Sequence, residues 1–433
     1  MAESPLKNFK SKDNALIWHP YAVPDLYAES IPIVKALGAH LFDEQNNKII
    51  DAISSWWTTL HGHSNPHIGN SIVNQQKKLD HVIFSGFTHE PAIRLAEKLI
   101  QLLPENQKKV FYSDNGSTAV EVALKMALQS QYINGGTRRK IIAFKNAYHG
   151  DTFGAMSVSG RGLFTAPFEK LLFEVDFIDA PIPGLEESSC KQLEQLLFAE
   201  EKPAAFIFEP ILQGTAGMVM HDASVLSKII KMCKANNVIT IADEVLVGFG
   251  RTGKFFASDY LTEKADIFCL SKGLTGGSMA LGVTTCCQKI YDSFHQGEQH
   301  VFFHGHSYTG NPICCAAALA SLEIFDENPV FEQISAIEKC HQQFVGKIMM
   351  HPKIKSIRTI GTILAIELVN TENTSYSNSL RKIAYDYFLS KGILLRPLGN
   401  IIYLMPPYCI EQVDLQYIYH HIELFLQKMD NAI

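Results

Sequence analysis

Between about residue 60 and residue 325, short apolar runs rich in β-formers alternate with longer segments of helical periodicity. Val110-Phe111-Tyr112, Ile141-Ile142-Ala143-Phe144, Ala205-Phe206-Ile207-Phe208, Ile239-Thr240-Ile241 and Ile267-Phe268-Cys269 are the strand candidates. Runs of this kind predict buried strands, and their alternation with helices predicts an α/β fold, a sheet layered with helices. A long helix is expected from Pro312 to Phe325, ended by the polar break Asp326-Glu327-Asn328-Pro329. Outside that core the pattern changes. Residues 1–59 are mixed and aromatic-rich, with strand-like pieces at Ile31-Pro32-Ile33-Val34 and His40-Leu41-Phe42-Asp43. Beyond residue 326, helices are joined by strand candidates at Thr362–Ile366 and Ile401–Leu404. The reading is a large domain, 60–325, and a smaller one built from both chain ends, 1–59 and 326–433. No internal repeat is visible.

Two predicted strands end in charge. The run Val238–Ala242 leads into Asp243-Glu244, and Asp266–Leu270 leads into Ser271-Lys272-Gly273. Open α/β sheets bind ligands beyond the carboxyl ends of their strands. A lysine with an aspartate beside it at such an edge is what pyridoxal phosphate requires: an amine for covalent attachment, and a carboxylate for the pyridinium nitrogen. The same two residues also fit an ordinary ion pair at a sheet edge.

A phosphate cup is the next requirement. Ser113-Asp114-Asn115-Gly116-Ser117-Thr118 follows a strand and opens a helix, on which Val120, Leu124, Ala127 and Leu128 share a face before Gly135-Gly136 stops it. Gly116 permits close approach. The free N–H groups and the hydroxyls of Ser117 and Thr118 could hold a phosphate at the positive helix end. Thr118 and Glu121 have capping-box spacing, and a routine N-cap accounts for the segment equally well.

Other patterns carry less. Gly248-Phe249-Gly250-Arg251-Thr252-Gly253 fits G-x-G-x-x-G, and with Lys254 it starts a P-loop. Phe255 stands where that motif needs a hydroxyl, and neither strand nor helix flanks the glycines as a dinucleotide site demands. A glycine-rich turn supporting Arg251 is the better account. His61, His63 and His67 lack nearby cysteines or carboxylates to complete a metal site, so no metal is expected. Trp56-Trp57 fits a core pair or the wall of a pocket for a large substrate.

Composition narrows the class. The chain has 433 residues, 46% of them hydrophobic, and a formal charge of −6 without a long basic run, which argues against nucleic-acid binding. Nine cysteines, an odd number without a CxxC, suit thiols in a reducing compartment. The first ten residues contain no apolar stretch of signal type, and no run approaches the ~18 apolar residues of a membrane helix. A cytoplasmic enzyme without membrane association is expected.

Taken in order, the segments Ser113–Ser117, Tyr148-His149-Gly150-Asp151, Glu209-Pro210 with Gln213-Gly214, Asp243-Glu244 through Gly253, and Ser271-Lys272-Gly273 resemble the class III pyridoxal phosphate-dependent aminotransferases. Further motifs are similar to the branch that aminates 8-amino-7-oxononanoate in biotin biosynthesis. They are Trp18–Tyr21, Ser54–Trp57, His61-Gly62, Leu274–Gly277, His304-Gly305 with Gly310–Pro312, and Leu395–Asn400. The resemblance implies fold type I, with a mainly parallel seven-stranded sheet, a smaller α/β domain, and a homodimer with shared active sites.

It also implies roles. Lys272 anchors the cofactor and moves the proton, Asp243 pairs with the ring nitrogen, and Tyr148 stacks on the ring and faces substrate. Gly116 and Ser117 hold the phosphate, joined from the partner subunit by the loop carrying His306 and Ser307. Tyr21, Trp56, Trp57, Asp151 and Gly305 surround the substrate, and Arg396 takes the distal carboxylate of 8-amino-7-oxononanoate. S-adenosylmethionine is the donor the resemblance implies, with lysine as the alternative; an omega-aminotransferase for another amine is the neighbouring reading. The family usually has Pro-Thr where this chain has His306-Ser307; Ser307 keeps the hydroxyl. Arg251 is left between a structural and a substrate-facing role.

Overall fold

The computed structural model describes residues 9–21, 30–295, 297–370 and 378–430. Met1–Asn8, on which part of the reading of the chain's start rests, lie outside them. A seven-stranded sheet occupies the centre, in the order Gln107–Ser113, Gly282–Cys287, Ile267–Leu270, Ile239–Asp243, Ala205–Phe208, Ile141–Phe144, Val175–Ile178. Gly282–Cys287 runs antiparallel to both neighbours, and the remaining pairs are parallel. All five strand candidates of the central region fall in this sheet. Val175–Ile178 and Gly282–Cys287 complete it.

Period-two alternation explains why the central strands read as unbroken apolar runs. Ile141, Ala143, Ala205, Ile207, Ile241, Ile267 and Cys269 face one core, with the helix Gly116–Ile133. Ile142, Phe144, Phe206, Phe208, Ala242, Phe268 and Leu270 face the other. Both faces are covered, so apolar side chains dominate each of them.

The helix Pro312–Glu327 runs two residues beyond its expected end at Phe325. Asn311 caps it by accepting from the N–H groups of Ile313 at 3.0 Å and Cys314 at 3.1 Å. Its run of Ala316, Ala317, Ala318, Ala320 and Ser321 is buried. These small side chains let it pack against the helices Pro66–Lys78 and Glu90–Leu102 and the turn Lys272–Thr275.

The chain ends meet. Ile33–Leu37, His40–Asp43 and Lys48–Asp51 form a sheet whose fourth strand, Ile393–Leu394, comes from the far end of the sequence. Ile354–Ile360, Ile363–Leu368 and Ile401–Leu404 form a separate antiparallel sheet. Among the described residues no helix is long and apolar enough to cross a membrane.

Candidate active site

Parallel pairing brings the two charged strand ends together. Asp243 pairs in register with Cys269 on the neighbouring strand, and Lys272 follows just beyond that strand's end. Both line a cavity of about 710 Å³, a volume typical of small-molecule sites. Lys272 has a φ of +44° and opens a short 3-10 turn. A non-glycine residue held there is strained backbone of the kind that collects at functional sites. Its Nζ lies 4.7 Å from the ring centre of Trp57. Desolvation lowers its ammonium pKa to about 8, with Arg251 adding to the effect, while Asp243 and Glu209 pull the other way.

The Asp243 carboxylate is held on both oxygens. One lies 2.6 Å from Nδ1 of His149, and the other accepts from the N–H of Val245 at 3.1 Å. Glu209 is buried nearby and accepts from the backbone N–H groups of Tyr148 at 3.2 Å and Gly214 at 2.9 Å. Burial raises its pKa to about 7, and Asp243 adds to the rise. The sequence motifs around His149 and Glu209 assign a role to neither residue. A motif shows the residues without their partners.

The helix Gly116–Ile133 points its first turn into the cavity, with Gly116 and Ser117 in the wall. A Cβ on Gly116 would lie 2.7 Å from Cγ1 of Val245, so the residue must be bare for the turn to pack here. The capping box is shifted from the expected one. Asn115 is the cap: its side chain accepts from Thr118 N at 2.9 Å, and Thr118 Oγ1 accepts from Asn115 N at 3.1 Å. Glu121 is pulled away by a stronger demand, the donors of residues 152–155.

Trp56 and Trp57 leave a cramped turn in different directions. Ser54, Ser55 and Trp57 all have positive φ, at 51°, 59° and 67°. Asp51 holds the turn by accepting from Ser55 N at 2.8 Å and Ser55 Oγ at 2.9 Å. Trp57 is buried in the cavity wall, and its indole N–H donates to the Tyr403 hydroxyl at 3.0 Å. Trp56 lies half-exposed, its ring 5.5 Å from that of Tyr21 and 4.7 Å from the Arg396 guanidinium. The Tyr21 hydroxyl donates to Asp151 and lies 3.5 Å from that of Tyr148. Desolvation, with help from Tyr21 and Asp151, keeps the Tyr148 phenol protonated far beyond the ordinary range. Tyr148 and Asp151 line the cavity, while Tyr21, Trp56 and Arg396 continue outward from it as a chain of contacts.

Gly305, His306 and Ser307 are not in the cavity wall of this single chain. Gly305 and Ser307 are exposed; the His306 N–H donates to Thr309 Oγ1 at 3.1 Å, and the Tyr308 N–H donates to His306 Nδ1 at 3.2 Å. Arg251 is fully buried. Its guanidinium donates to the carbonyls of Pro406 at 2.9 Å and Trp57 at 3.3 Å and stands 5.2 Å from the Tyr408 ring centre. In this structure it supports the wall from behind. The glycines around it form a turn, and Phe255 packs among Phe249, Phe256 and Phe325. His63 pairs with Asp51 at 2.8 Å and His67 with Glu323 at 3.0 Å, while His61 packs against Phe325.

An amine and a carboxylate at adjacent strand ends, a helix N-terminus with a bare glycine, and a cavity joining all three make a complete set for pyridoxal phosphate. A class III aminotransferase family model matches residues 23–426. The chain belongs to that family, whose cofactor is pyridoxal 5'-phosphate. It is 44% identical over 422 residues to the adenosylmethionine-8-amino-7-oxononanoate aminotransferase of Synechococcus elongatus, covering 95% of this chain and 99% of the relative. The enzyme of the same description from Methanocaldococcus jannaschii has a crystal structure with a TM-score of 0.92 and 37% identity, covering 98% of this chain and 99% of that one. An omega transaminase from Pseudomonas jessenii, solved in complex with PMP, reaches the same TM-score of 0.92 at 26% identity, with 98% and 99% coverage.

Proposed function

We propose that this chain transfers the amino group of S-adenosylmethionine to the ketone of 8-amino-7-oxononanoate, forming 7,8-diaminononanoate in biotin biosynthesis. Pyridoxal phosphate, when bound, supplies the electron sink and carries the amino group between the two substrates. The chain's own residues do the rest. Lys272 anchors the cofactor and, once freed, its amine takes the proton from the donor's α-carbon. Burial of that amine favours its neutral, basic form. Asp243, fixed between His149 and the Val245 N–H, keeps a proton on the ring nitrogen. Gly116, Ser117 and the first helical N–H groups receive the phosphate.

The observation that carries the substrate assignment is the series of contacts leading out of the cavity, from Asp151 to Tyr21, from Tyr21 to Trp56 and from Trp56 to Arg396. It is a path walled by aromatic rings and ending in a guanidinium, suited to a long aliphatic acceptor with a distal carboxylate. Trp57 and Tyr148 line the cavity at the inner end, Trp57 beside Lys272. Neither donor, S-adenosylmethionine nor lysine, is favoured by any contact on this path; the named relatives support the former.

The working unit in this reading is a cytoplasmic homodimer in which the exposed Gly305–Ser307 loop enters the partner's site, Ser307 toward the phosphate. The strand Ile393–Leu394 joined to Lys48–Asp51 supports a small domain from residues 1–59 and 326–433 beside the large one, 60–325. The test is a donor panel with 8-amino-7-oxononanoate, read by mass spectrometry. S-adenosylmethionine should give the diamine, and turnover with lysine alone would replace the donor assignment.

A further inference from the structure

Glu121 lies on the second turn of the phosphate-cup helix and does not line the cavity. Its Oε1 accepts three donors from one segment: Thr152 Oγ1 at 2.6 Å, Gly154 N at 2.7 Å and Ala155 N at 3.2 Å. One turn earlier on the same helix, Ser117 Oγ accepts from Asp151 N at 3.3 Å. The segment is pressed flat at both rungs. A Cβ on Gly154 would stand 2.1 Å from Glu121 Oε2, and a Cβ on Gly150, at φ 133°, would stand 2.1 Å from Ser117 Oγ. Upstream the segment is tied by Tyr148 N to Glu209 and by His149 N to Ser159 Oγ at 2.9 Å. The segment so tied carries Tyr148, His149 and Asp151.

We propose that Glu121 is a positioning residue: it straps the segment 148–155 to the helix that forms the phosphate cup, and so fixes Asp151 and Tyr148 relative to the bound cofactor and the substrate. A carboxylate oxygen gathering three donors, two of them backbone, is a stronger tie than a single neutral bond. It sits one helical turn from Ser117, so the cup and the substrate-facing carboxylate share one rigid element. The inference rests on the reading of Asp151 as substrate-facing given above.

The test combines amide exchange with kinetics on Glu121→Ala, Glu121→Gln, Asp151→Asn and the Glu121→Ala/Asp151→Asn double variant. In the protein without cofactor, Glu121→Ala should speed exchange at Gly154 and Ala155 by about tenfold or more, as expected when a local tie is lost. Lys125→Ala, one turn further along the helix, serves as the control for general loosening and should leave those amides protected. In the loaded enzyme, Glu121→Ala should raise KM for 8-amino-7-oxononanoate by about tenfold with a smaller fall in kcat. Glu121→Gln should recover most of both, because its amide oxygen can accept the same donors. On the Asp151→Asn background, Glu121→Ala should add little further KM, since the two act through one contact. Unchanged exchange in Glu121→Ala, or full additivity with Asp151→Asn, overturns the proposal. Exchange needs no substrate, so it decides the strap whichever acceptor is used. A wild-type enzyme inactive toward 8-amino-7-oxononanoate would instead overturn the functional reading.

Discussion

Nδ1 of His149 lies 2.6 Å from Oδ2 of Asp243, and both side chains are buried at the cavity wall. The imidazole therefore orients the carboxylate proposed above to meet the cofactor ring, and it does so from a different strand-to-helix connection. His149→Ala should remove a buried partner from a buried carboxylate. We expect a loss of about 1–3 kcal/mol in stability. Turnover should fall about tenfold to hundredfold, the scale on which outer partners of metal ligands act. Urea melts and kcat measurement check it, and wild-type values in both would make the contact incidental.

The Lys272 amine should govern how fast cofactor-free protein captures pyridoxal phosphate. Only the neutral amine is nucleophilic, so the rate should climb with pH and level off above about 8, well below the 10.5 of an exposed lysine. Asp243→Asn removes a carboxylate that favours the ammonium, so the midpoint should move lower still. Stability follows the same sign. Between about 8 and 10.5 the unfolded chain still holds the proton that the fold has released, so Lys272 makes the fold more stable as pH rises through that window. Absorbance of the attached cofactor and urea midpoints against Lys272→Met provide the two readings.

Arg251 reaches two carbonyls, of Pro406 and Trp57, from full burial. Arg251→Ala should destabilise the protein by about 2–4 kcal/mol, through unpaired carbonyls and a void behind Trp57. Arg251→Lys should recover only part, because an ammonium cannot span both acceptors in one plane. Denaturant midpoints decide this. Unchanged stability with a raised substrate KM would place the guanidinium on the substrate instead.

Much of this site could be read before the fold was known, because its chemistry sits at element boundaries. Strand runs covered on both faces announce themselves as apolar, and Asp243 and Lys272 are conspicuous at their ends. Gly282–Cys287 is less conspicuous, since its Thr284 and Thr285 are buried by partners distant in sequence, Ala119 and Gln107. The turn at Ser54–Trp57 holds three positive φ values without a glycine, so no local propensity marks it. Thr118 and Glu121 matched a local capping rule that lost to the long-range bonds of residues 152–155. His149, Glu209 and Arg251 take their meaning from partners 94, 61 and 155 residues away, and spacing carries no record of that.

Arg396 stacks over Trp56 at the outer end of the path. Arg396→Ala should leave the donor half-reaction nearly unchanged, because the donor has no carboxylate at that end. The acceptor half-reaction should lose about 2–5 kcal/mol, the usual cost of truncating one partner of a desolvated charge pair. Separate single-turnover measurements of the two halves check it. Equal damage to both would assign Arg396 to the donor or to the fold.

The most direct measurement loads the wild-type protein with pyridoxamine 5'-phosphate, adds 8-amino-7-oxononanoate without any donor, and follows cofactor absorbance together with product mass. The account predicts one equivalent of 7,8-diaminononanoate per active site, with the cofactor returned to the pyridoxal form. Pyridoxal formation with other keto compounds but not with this one would contradict the substrate assignment. No conversion with any carbonyl acceptor would contradict the transfer itself.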